Sequence, residues 1–480
     1  MLNIKKLSNS LLVATALTGL MATTAIVPTV ADFTGIYAAA QDFPLASQQR
    51  ADAAAAARNA RPKLKSIPGT TERVYKNIVK VQEFMALEPP QYNEAMALLK
   101  KQDLNRLNST ERASYLQLMA AVAQSLDGME EALGYYKDML AMTAISYGQR
   151  DQITFVVGQI EFSNGNLTEA LTYLEDWFQY QPTPSITNLI ILANVYYVAG
   201  MEEGAPKQES DKNFRKAIEF FNWAITKSIA DGKEDKENWY AVLRTIHNTL
   251  EETDEVLKYA ELLATRWPKK AYWTQLSGLY AQAGTEPGLS EAEVSILEKK
   301  QLAAYELAHR QGMLDKGREF ETMAQLYLYH EVPYLSSKTI AESFEKGLSE
   351  ESQRNFNLQA TALVSGKDLG DAVVPLRKAA ELSNDGNLYI QLANVYLQLD
   401  KYKEAADAIQ LGLDKGDVRR PDQSSLLQGQ AYLSLEMFDE ARASFREAAK
   451  DDRSKKNANN LLKYVDNEEK RIKDIREYLS

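Results

Sequence analysis

The feature that most constrains the fold is a pair of adjoining helical patterns in residues 386–413. The first has apolar and small residues at spacings of 0, 3, 4 and 7, one face of an α-helix, at Tyr389, Leu392, Ala393 and Tyr396. The second follows a polar break and places on its inner face Tyr402, Ala405, Ile409 and Gly412. Small residues at 393 and 405 allow close approach, whereas large ones would overpack the contact at a cost of about 1–3 kcal/mol each. The stretch therefore predicts two helices packed against each other.

A small residue like Ala405 recurs along the chain at steps of 33 to 48 residues. The series is Ala95, Ala132, Ala170, Ala217, Val256, Ala304, Ser337, Ala372, Ala405 and Ala441. Each member marks the start of the second helix of a pair, so the sequence predicts about ten helix pairs. Self-similarity on this scale is typical of solenoids, in which each repeat contacts only its neighbours. The clearest copies are residues 151–182, 269–280 and 422–449.

The alternation of small and aromatic positions in units of about 34 residues resembles the tetratricopeptide repeat (TPR). The resemblance implies an all-α, right-handed superhelix, an α-solenoid, whose first helices line a concave surface. We expect the solenoid to span residues 71–453. One amphipathic helix, residues 454–480, is expected to cap its last hydrophobic face, with a partner-binding helix as the alternative. The two longest steps predict polar surface loops at residues 202–213 and 285–293.

Residues 1–40 have the pattern of a secretory signal peptide. A basic start, MLNIKK, is followed by an apolar, uncharged run from residue 11 to residue 30. Cleavage is predicted after Ala40, with Ala31 as the alternative site. An uncleaved membrane anchor is the competing interpretation, because the run approaches the roughly 20 residues that span a bilayer. The sequence therefore predicts export, into a bacterial periplasm.

Residues 41–70 form a basic leader on an acidic chain. Its cationic side chains are Arg50, Arg58, Arg61, Lys63 and Lys65, around an alanine run at residues 53–57. We interpret it as a solvated, partly helical arm that positions the first repeat, with a tether to an anionic surface as the alternative. The formal net charge of −11 disfavours nucleic acid, because phosphate neutralisation by Lys and Arg supplies most of that affinity.

No pattern for a reaction, a metal or a cofactor emerges. Cysteine is absent, which excludes disulfides and thiolate metal sites, and His247, His309 and His330 lack metal-ligand spacing. Glycine-rich phosphate loops, GxSxG and HExxH are also absent. We therefore predict a non-enzymatic protein without a cofactor. The enzymatic rival is a glycan-cleaving protein, which needs two acids facing each other at roughly 5–10 Å.

The candidate binding residues come from the pentad LANVY, which occurs at 192–196 and 392–396. Asn194 and Asn394 follow the packing alanine, where a side chain can point into the concave groove. An amide there can bond a peptide backbone through both its donor and its acceptor. The alternative is that each asparagine bonds its own helix. The candidate peptide-groove residues are Asn194, Asn394, Tyr197, Gln159 and Gln430.

Tetratricopeptide grooves that clamp a peptide C-terminal carboxylate pair such an asparagine with a basic residue one turn earlier. Here those positions are Ile190 and Ile390, so this mode of binding is not expected.

Four strings extend the resemblance to one family. They are ENWYAVLR (237–244), YWTQLSGLY (272–280), MAQLYLYHEVPY (323–334) and KGDVRRPDQSSLLQGQAYL (415–433). From about Arg73 to Lys470 the chain resembles exported tetratricopeptide proteins encoded beside TonB–ExbB–ExbD systems in marine gammaproteobacteria. The resemblance implies a periplasmic adaptor that binds TonB, ExbB or ExbD segments and assists uptake of iron chelates or other nutrients. The rival binding role is a scaffold for outer-membrane or peptidoglycan assembly. Membrane association is expected to be indirect, or through an uncleaved N-terminus.

Overall fold

The computed structural model describes residues 34–64, 68–143 and 145–479, with side chains described from residue 47 onward. These residues contain twenty-two α-helices, one short 3₁₀ turn at Leu104–Arg106, and no strand. In chain order the helices are α1 Thr34–Asn59, α2 Glu72–Ala86, α3 Tyr92–Lys100, α4 Ser109–Ser125, α5 Met129–Leu140, α6 Tyr147–Asn164, α7 Leu167–Gln179, α8 Ile186–Gly200, α9 Lys207–Ala230, α10 Glu237–Thr249, α11 Thr253–Arg266, α12 Lys270–Ala283, α13 Glu291–Arg310, α14 Gly317–Tyr329, α15 Pro333–Glu345, α16 Gln353–Ser365, α17 Leu369–Leu382, α18 Asn387–Gln398, α19 Tyr402–Lys415, α20 Pro421–Ser434, α21 Phe438–Ala448 and α22 Asp452–Leu479.

Helices α2 to α21 form ten consecutive pairs, and the even-numbered member is the first helix of each. The prediction of an all-α repeat fold of about ten helix pairs is therefore confirmed. Contacts divide the chain into two compact units, one ending at Tyr259 and the other beginning at Ala260, both within α11. Buried apolar side chains fill the inside of each unit, for example Tyr115 and Met139 in the first and Leu392 and Ile409 in the second.

The small residue that marks each pair has a fixed place in the second helix. It is the fourth residue in seven helices, and these residues are Ala95, Ala132, Ala170, Val256, Ala372, Ala405 and Ala441. In α15 the fourth residue is Ser336 rather than the predicted Ser337. The Ser336 hydroxyl donates to the Ala324 carbonyl at 2.7 Å, so the side chain at the close contact also satisfies its own polar group.

In the two longest repeats the second helix is lengthened, as well as the loop that precedes it. Helix α9 begins at Lys207 and α13 at Glu291, so both predicted loops end earlier than expected. The loop predictions are correct at 202–206 and 285–290 and wrong beyond. Relative to the fourth position, Ala217 and Ala304 are displaced by about two and three helical turns. The extension of α9 is close to two whole turns, so its packing face stays in phase.

Helix α22 caps the last pair through its first half only. Ala458 and Val465 are fully buried there, and Ser454 donates to the buried Asp422 carboxylate at 2.6 Å. The last two turns project, and Tyr478 is 89% exposed. Leu479 is 77% exposed, because the 11-residue helix α21 is too short to reach it.

Part of the predicted signal peptide lies outside the described residues. Residues 1–33, with the alternative cleavage site at Ala31, and Lys65 of the leader are not described, whereas Ala40 lies within α1. Within the described ranges, no helix combines the length and the apolar character needed to span a bilayer.

Candidate functional site

The four predicted amides share one register on the first helices. Each directly follows the small residue through which its helix packs, in the order Gly158–Gln159, Ala193–Asn194, Ala393–Asn394 and Gly429–Gln430. The packing position has no spare room, since a Cβ at Gly158 would lie 2.7 Å from Cγ of Leu174. The next residue therefore turns away from the partner helix. Asn394 and Gln430 are exposed, and Gln159 and Asn194 are half-buried.

The structure divides the five candidate residues into two groups. Gln159, Asn194 and Tyr197 lie on the neighbouring first helices α6 and α8 of the first unit. Asn394 and Gln430 lie on the neighbouring first helices α18 and α20 of the second unit. We call each group an amide row. Each row is a short surface of its own.

Two of the candidates already contact their own repeat. Asn394 donates from Nδ2 to the Ile390 carbonyl at 2.9 Å, the self-bonded alternative. A partner that binds Asn394 must either displace this bond or bind the part of the amide that the bond leaves open. The Tyr197 ring lies 6.3 Å from the Phe214 ring, and burial raises the pKa of its hydroxyl. Tyr197 therefore contributes chiefly to the contact between α8 and α9.

A further amide in the same register was missed by the sequence analysis. Gln325 follows Ala324 on α14, and it lines a cleft of about 380 Å³ between α12, α13 and α14. Tyr329 is 64% exposed at this cleft, and its hydroxyl donates to Glu298. The available signal was the order Ala–Gln in MAQLYLYHEVPY, which repeats the Ala–Asn order of LANVY. We call this surface the Gln325 cleft.

Two carboxyl groups are held in their charged form by neighbouring cations. The pKa of the Glu252 carboxyl is lowered by a hydrogen bond from Arg215, with His247 adding a second. The pKa of Asp422 is held well below its usual range, chiefly by Arg420. A general acid needs the opposite shift. No group of three or more His, Asp or Glu side chains in the described part of the chain could hold a metal ion.

The leader packs against the helix repeats. Helix α1 packs against α7 and α9, and the methyl group of Ala54 is fully buried in the contact. Most side chains of residues 47–64 are exposed, as expected of a solvated arm, but the arm lies against the third and fourth helix pairs. Arg50 and Arg61 are partly buried against the third helix pair, α6 and α7, so they are engaged by the protein itself.

Comparison with known proteins supports the repeat family. Residues 423–453, which cover α20, α21 and the start of α22, match the family model for the tetratricopeptide repeat. No curated protein matches the chain.

Solved structures with similarity to the chain include the TPR2AB domain of yeast Sti1 in its pHSP90 complex. That match has 17% identity and a TM-score of 0.31, and it covers 60% of this chain and 98% of the other. The APC/C hetero-tetramer Cut9–Hcn1 matches at 13% identity and a TM-score of 0.25, over 90% and 95% of the two chains. A tetratricopeptide repeat protein from Parabacteroides merdae ATCC 43184 matches at 12% identity and a TM-score of 0.32, over 61% and 100%. Scores this low define no common shape, and the fold rests on the helix pairs themselves.

Proposed function

We propose that this chain of tetratricopeptide repeats is a non-enzymatic scaffold that binds protein partners through the faces of its first helices. The observation that carries the proposal is the recurrence of an outward amide after the packing residue, as in Asn194, Gln325 and Asn394. An amide offers a donor and an acceptor, which match the alternating groups of an extended peptide backbone. Because the register repeats between neighbouring pairs, such amides form rows along which a peptide can lie.

The finer proposal is that the scaffold works in the periplasm with TonB, ExbB or ExbD, in uptake of iron chelates or similar nutrients. Its support is the N-terminal export pattern and the four strings that resemble the TonB-associated family. Two of those strings, 272–280 and 323–334, supply Tyr280, Gln325 and Tyr329 to the Gln325 cleft. The part of the sequence that carries the resemblance therefore coincides with an open surface, and we assign partner binding to it.

Site-specific photo-crosslinking in intact cells tests this proposal. A photoreactive residue replaces Gln325, Asn194 or Asn394 in the full chain, and captured proteins are identified by mass spectrometry. The control position is Leu411, which is 53% exposed but lies on the second helix α19. We expect crosslinks to TonB, ExbB or ExbD from the first-helix positions and none from position 411.

Other outcomes contradict the proposal at different levels. Capture of cell-wall enzymes or outer-membrane assembly factors would keep the scaffold and replace the TonB assignment. Equal capture from position 411 and from the first-helix positions would refute binding through the first helices.

A further inference from the structure

Two arginines of the leader contact the C-terminal end of α7. Arg50 donates to the carbonyl oxygens of Phe178 and Gln181, and its guanidinium lies 3.9 Å from the centroid of the Phe178 ring. Arg58 donates from Nε to the Tyr180 carbonyl at 2.8 Å. The carbonyls at a helix C-terminus carry partial negative charge and lack helical donors. This end of α7 therefore offers several acceptors to a cation.

A third leader arginine is held between two rings and a carboxylate. Arg61 lies 3.3 Å from the centroid of the Tyr180 ring and 4.6 Å from that of Tyr147, while Nη1 donates to Asp151 at 3.1 Å. Only 9% of its side chain is exposed. Burial alone would lower the pKa of Arg61, but the hydrogen bonds that it donates to Asp151, together with the neighbouring Tyr180, raise it. The Tyr147 hydroxyl also donates to the Pro62 carbonyl.

These contacts favour guanidinium over ammonium. A guanidinium is planar, so it can stack on a ring while its edge donates to two carboxylate oxygens, as Arg61 does with Asp151. A lysine ammonium is compact and strongly hydrated, and it has no flat face to stack. We therefore expect the site to prefer arginine to lysine.

Comparison of the third helix pair with the seventh, α14 and α15, shows which residues make the site. Phe344 is the penultimate residue of the 13-residue helix α15, as Phe178 is in the 13-residue α7. Counted from these phenylalanines, Gly317 and Lys346 stand where the third pair has Asp151 and Tyr180. A cleft of about 500 Å³ lies beside Phe344, and its carboxylates and further rings come from other positions, such as Glu351, Asp371 and Phe356. The register of Asp151 and Tyr180 around a guanidinium is therefore particular to the third pair.

Little apolar contact holds residues 47–64 in place. Among them Ala54 is the only fully buried side chain, and an alanine methyl buries little surface. The contact made by residues 47–64 therefore depends mainly on their arginines, whose bonds can be exchanged for those of another arginine-bearing segment.

We propose that the end of α7, with Tyr147 and Asp151 of α6, is an arginine-recognition site that the leader occupies in cis. Release of the leader opens the site to an arginine-bearing segment of a partner protein. Tyr147 and Asp151 lie on the first helix α6, but Asp151 is about 12 Å along that helix from Gln159. The proposal concerns contacts of the leader and stands independently of the TonB assignment.

The test uses the full chain and a fluorescent peptide with the sequence of residues 47–64 as the probe. In the release variant, Arg50→Ala with Arg58→Ala and Arg61→Ala, the site loses its internal occupant. We expect the probe to bind this variant at least 10-fold more tightly than the wild-type chain. Adding Asp151→Asn should weaken probe binding about 10-fold, and a probe with lysine at positions 50 and 61 should bind similarly weakly.

A second readout follows the leader itself. Amide exchange in residues 48–59 should accelerate in the release variant but not in the control Arg106→Ala, which removes an exposed arginine paired within its own turn to Asp103. Equal probe binding by wild type and release variant would place the peptide elsewhere and overturn the proposal. So would unchanged exchange in the leader, or an Asp151→Asn variant that binds the probe normally.

Discussion

Replacing Gly386 with alanine tests whether close backbone approach holds the helix pairs together. Gly386 precedes α18 and faces Gly412, near the end of its partner α19. A Cβ at residue 386 would overlap the Gly412 carbonyl oxygen and lie 2.6 Å from the carbonyl carbon. These are backbone atoms, which cannot move aside as the end of a flexible side chain can. The two helices must therefore separate.

The expected loss follows from this geometry. Overpacking costs about 1–3 kcal/mol, and we expect the upper end, about 3 kcal/mol, because backbone faces backbone. Backbone strain adds nothing, since Gly386 has a φ of −83° that alanine adopts readily. The matched control is Gly370→Ala in α17, where a Cβ would have no atom within 4 Å. Alanine there should stabilise the chain by up to about 1 kcal/mol through helix propensity.

Urea unfolding followed by far-UV circular dichroism measures the two variants, and amide exchange locates the effect. Repeat arrays open locally, so lost protection should concentrate in α18 and α19. The reasoning would be refuted if the Gly386→Ala and Gly370→Ala variants unfolded at the same urea concentration. Loss of protection away from α18 and α19 would also contradict it.

Three further predictions concern the second unit. Ala405→Arg should unfold the ninth pair, because this residue is fully buried at the helix contact, and native far-UV dichroism would contradict this. Asn394→Ala should weaken partner binding but leave the melting temperature within about 1 °C of wild type, since it removes only one exposed side-chain bond. If the melting temperature and the affinity fall together, Asn394 supports the fold rather than the partner. Asp422, whose pKa is lowered by Arg420 and then by Ser454, should stabilise the fold fully above about pH 4 and less as the pH falls further. The difference in urea midpoint between wild type and Asp422→Asn should therefore shrink below pH 4, and a constant difference down to pH 2 would contradict this.

The helix pairs could be predicted because their closest contact constrains residue size. A residue at the contact, such as Ala405, must be small whatever surrounds it, so it recurs in a readable series. The start of α13 was predicted less well, because Gly and Pro in residues 285–293 suggested a loop throughout. Ser290 and Glu293 form a capping box, and that local pairing begins the helix inside the predicted loop.

The leader site could not be predicted from the sequence in the same way. Arg50 and Arg58 are bound by backbone carbonyls, which every residue carries and which leave no mark in the sequence. The alanine run suggested only a helix. The available signal was the spacing of Arg50, Ala54 and Ala57, which places them on one helical face with Arg61 beyond it.

The amide register was predictable, but the bonds of individual amides were not. Asn194 and Asn394 were placed correctly as residues that follow the packing alanine. Whether such a side chain turns back to its own helix depends on its rotamer, and Asn394 does so by bonding Ile390. Gln325 escaped notice because its neighbouring residues differ from LANVY, although the small residue before it is the same.

The most direct test of the scaffold assignment is the affinity of the purified chain for purified periplasmic segments of TonB and ExbD, measured by titration calorimetry. We predict a dissociation constant on the order of 1 μM, about −8 kcal/mol, for at least one segment. Replacing Gln325 with alanine should weaken that binding, whereas Leu411→Ala should leave it unchanged. No heat of binding for either segment at concentrations approaching 1 mM would contradict the TonB assignment. Binding that is equally weakened by the Leu411 variant would contradict recognition by the first helices.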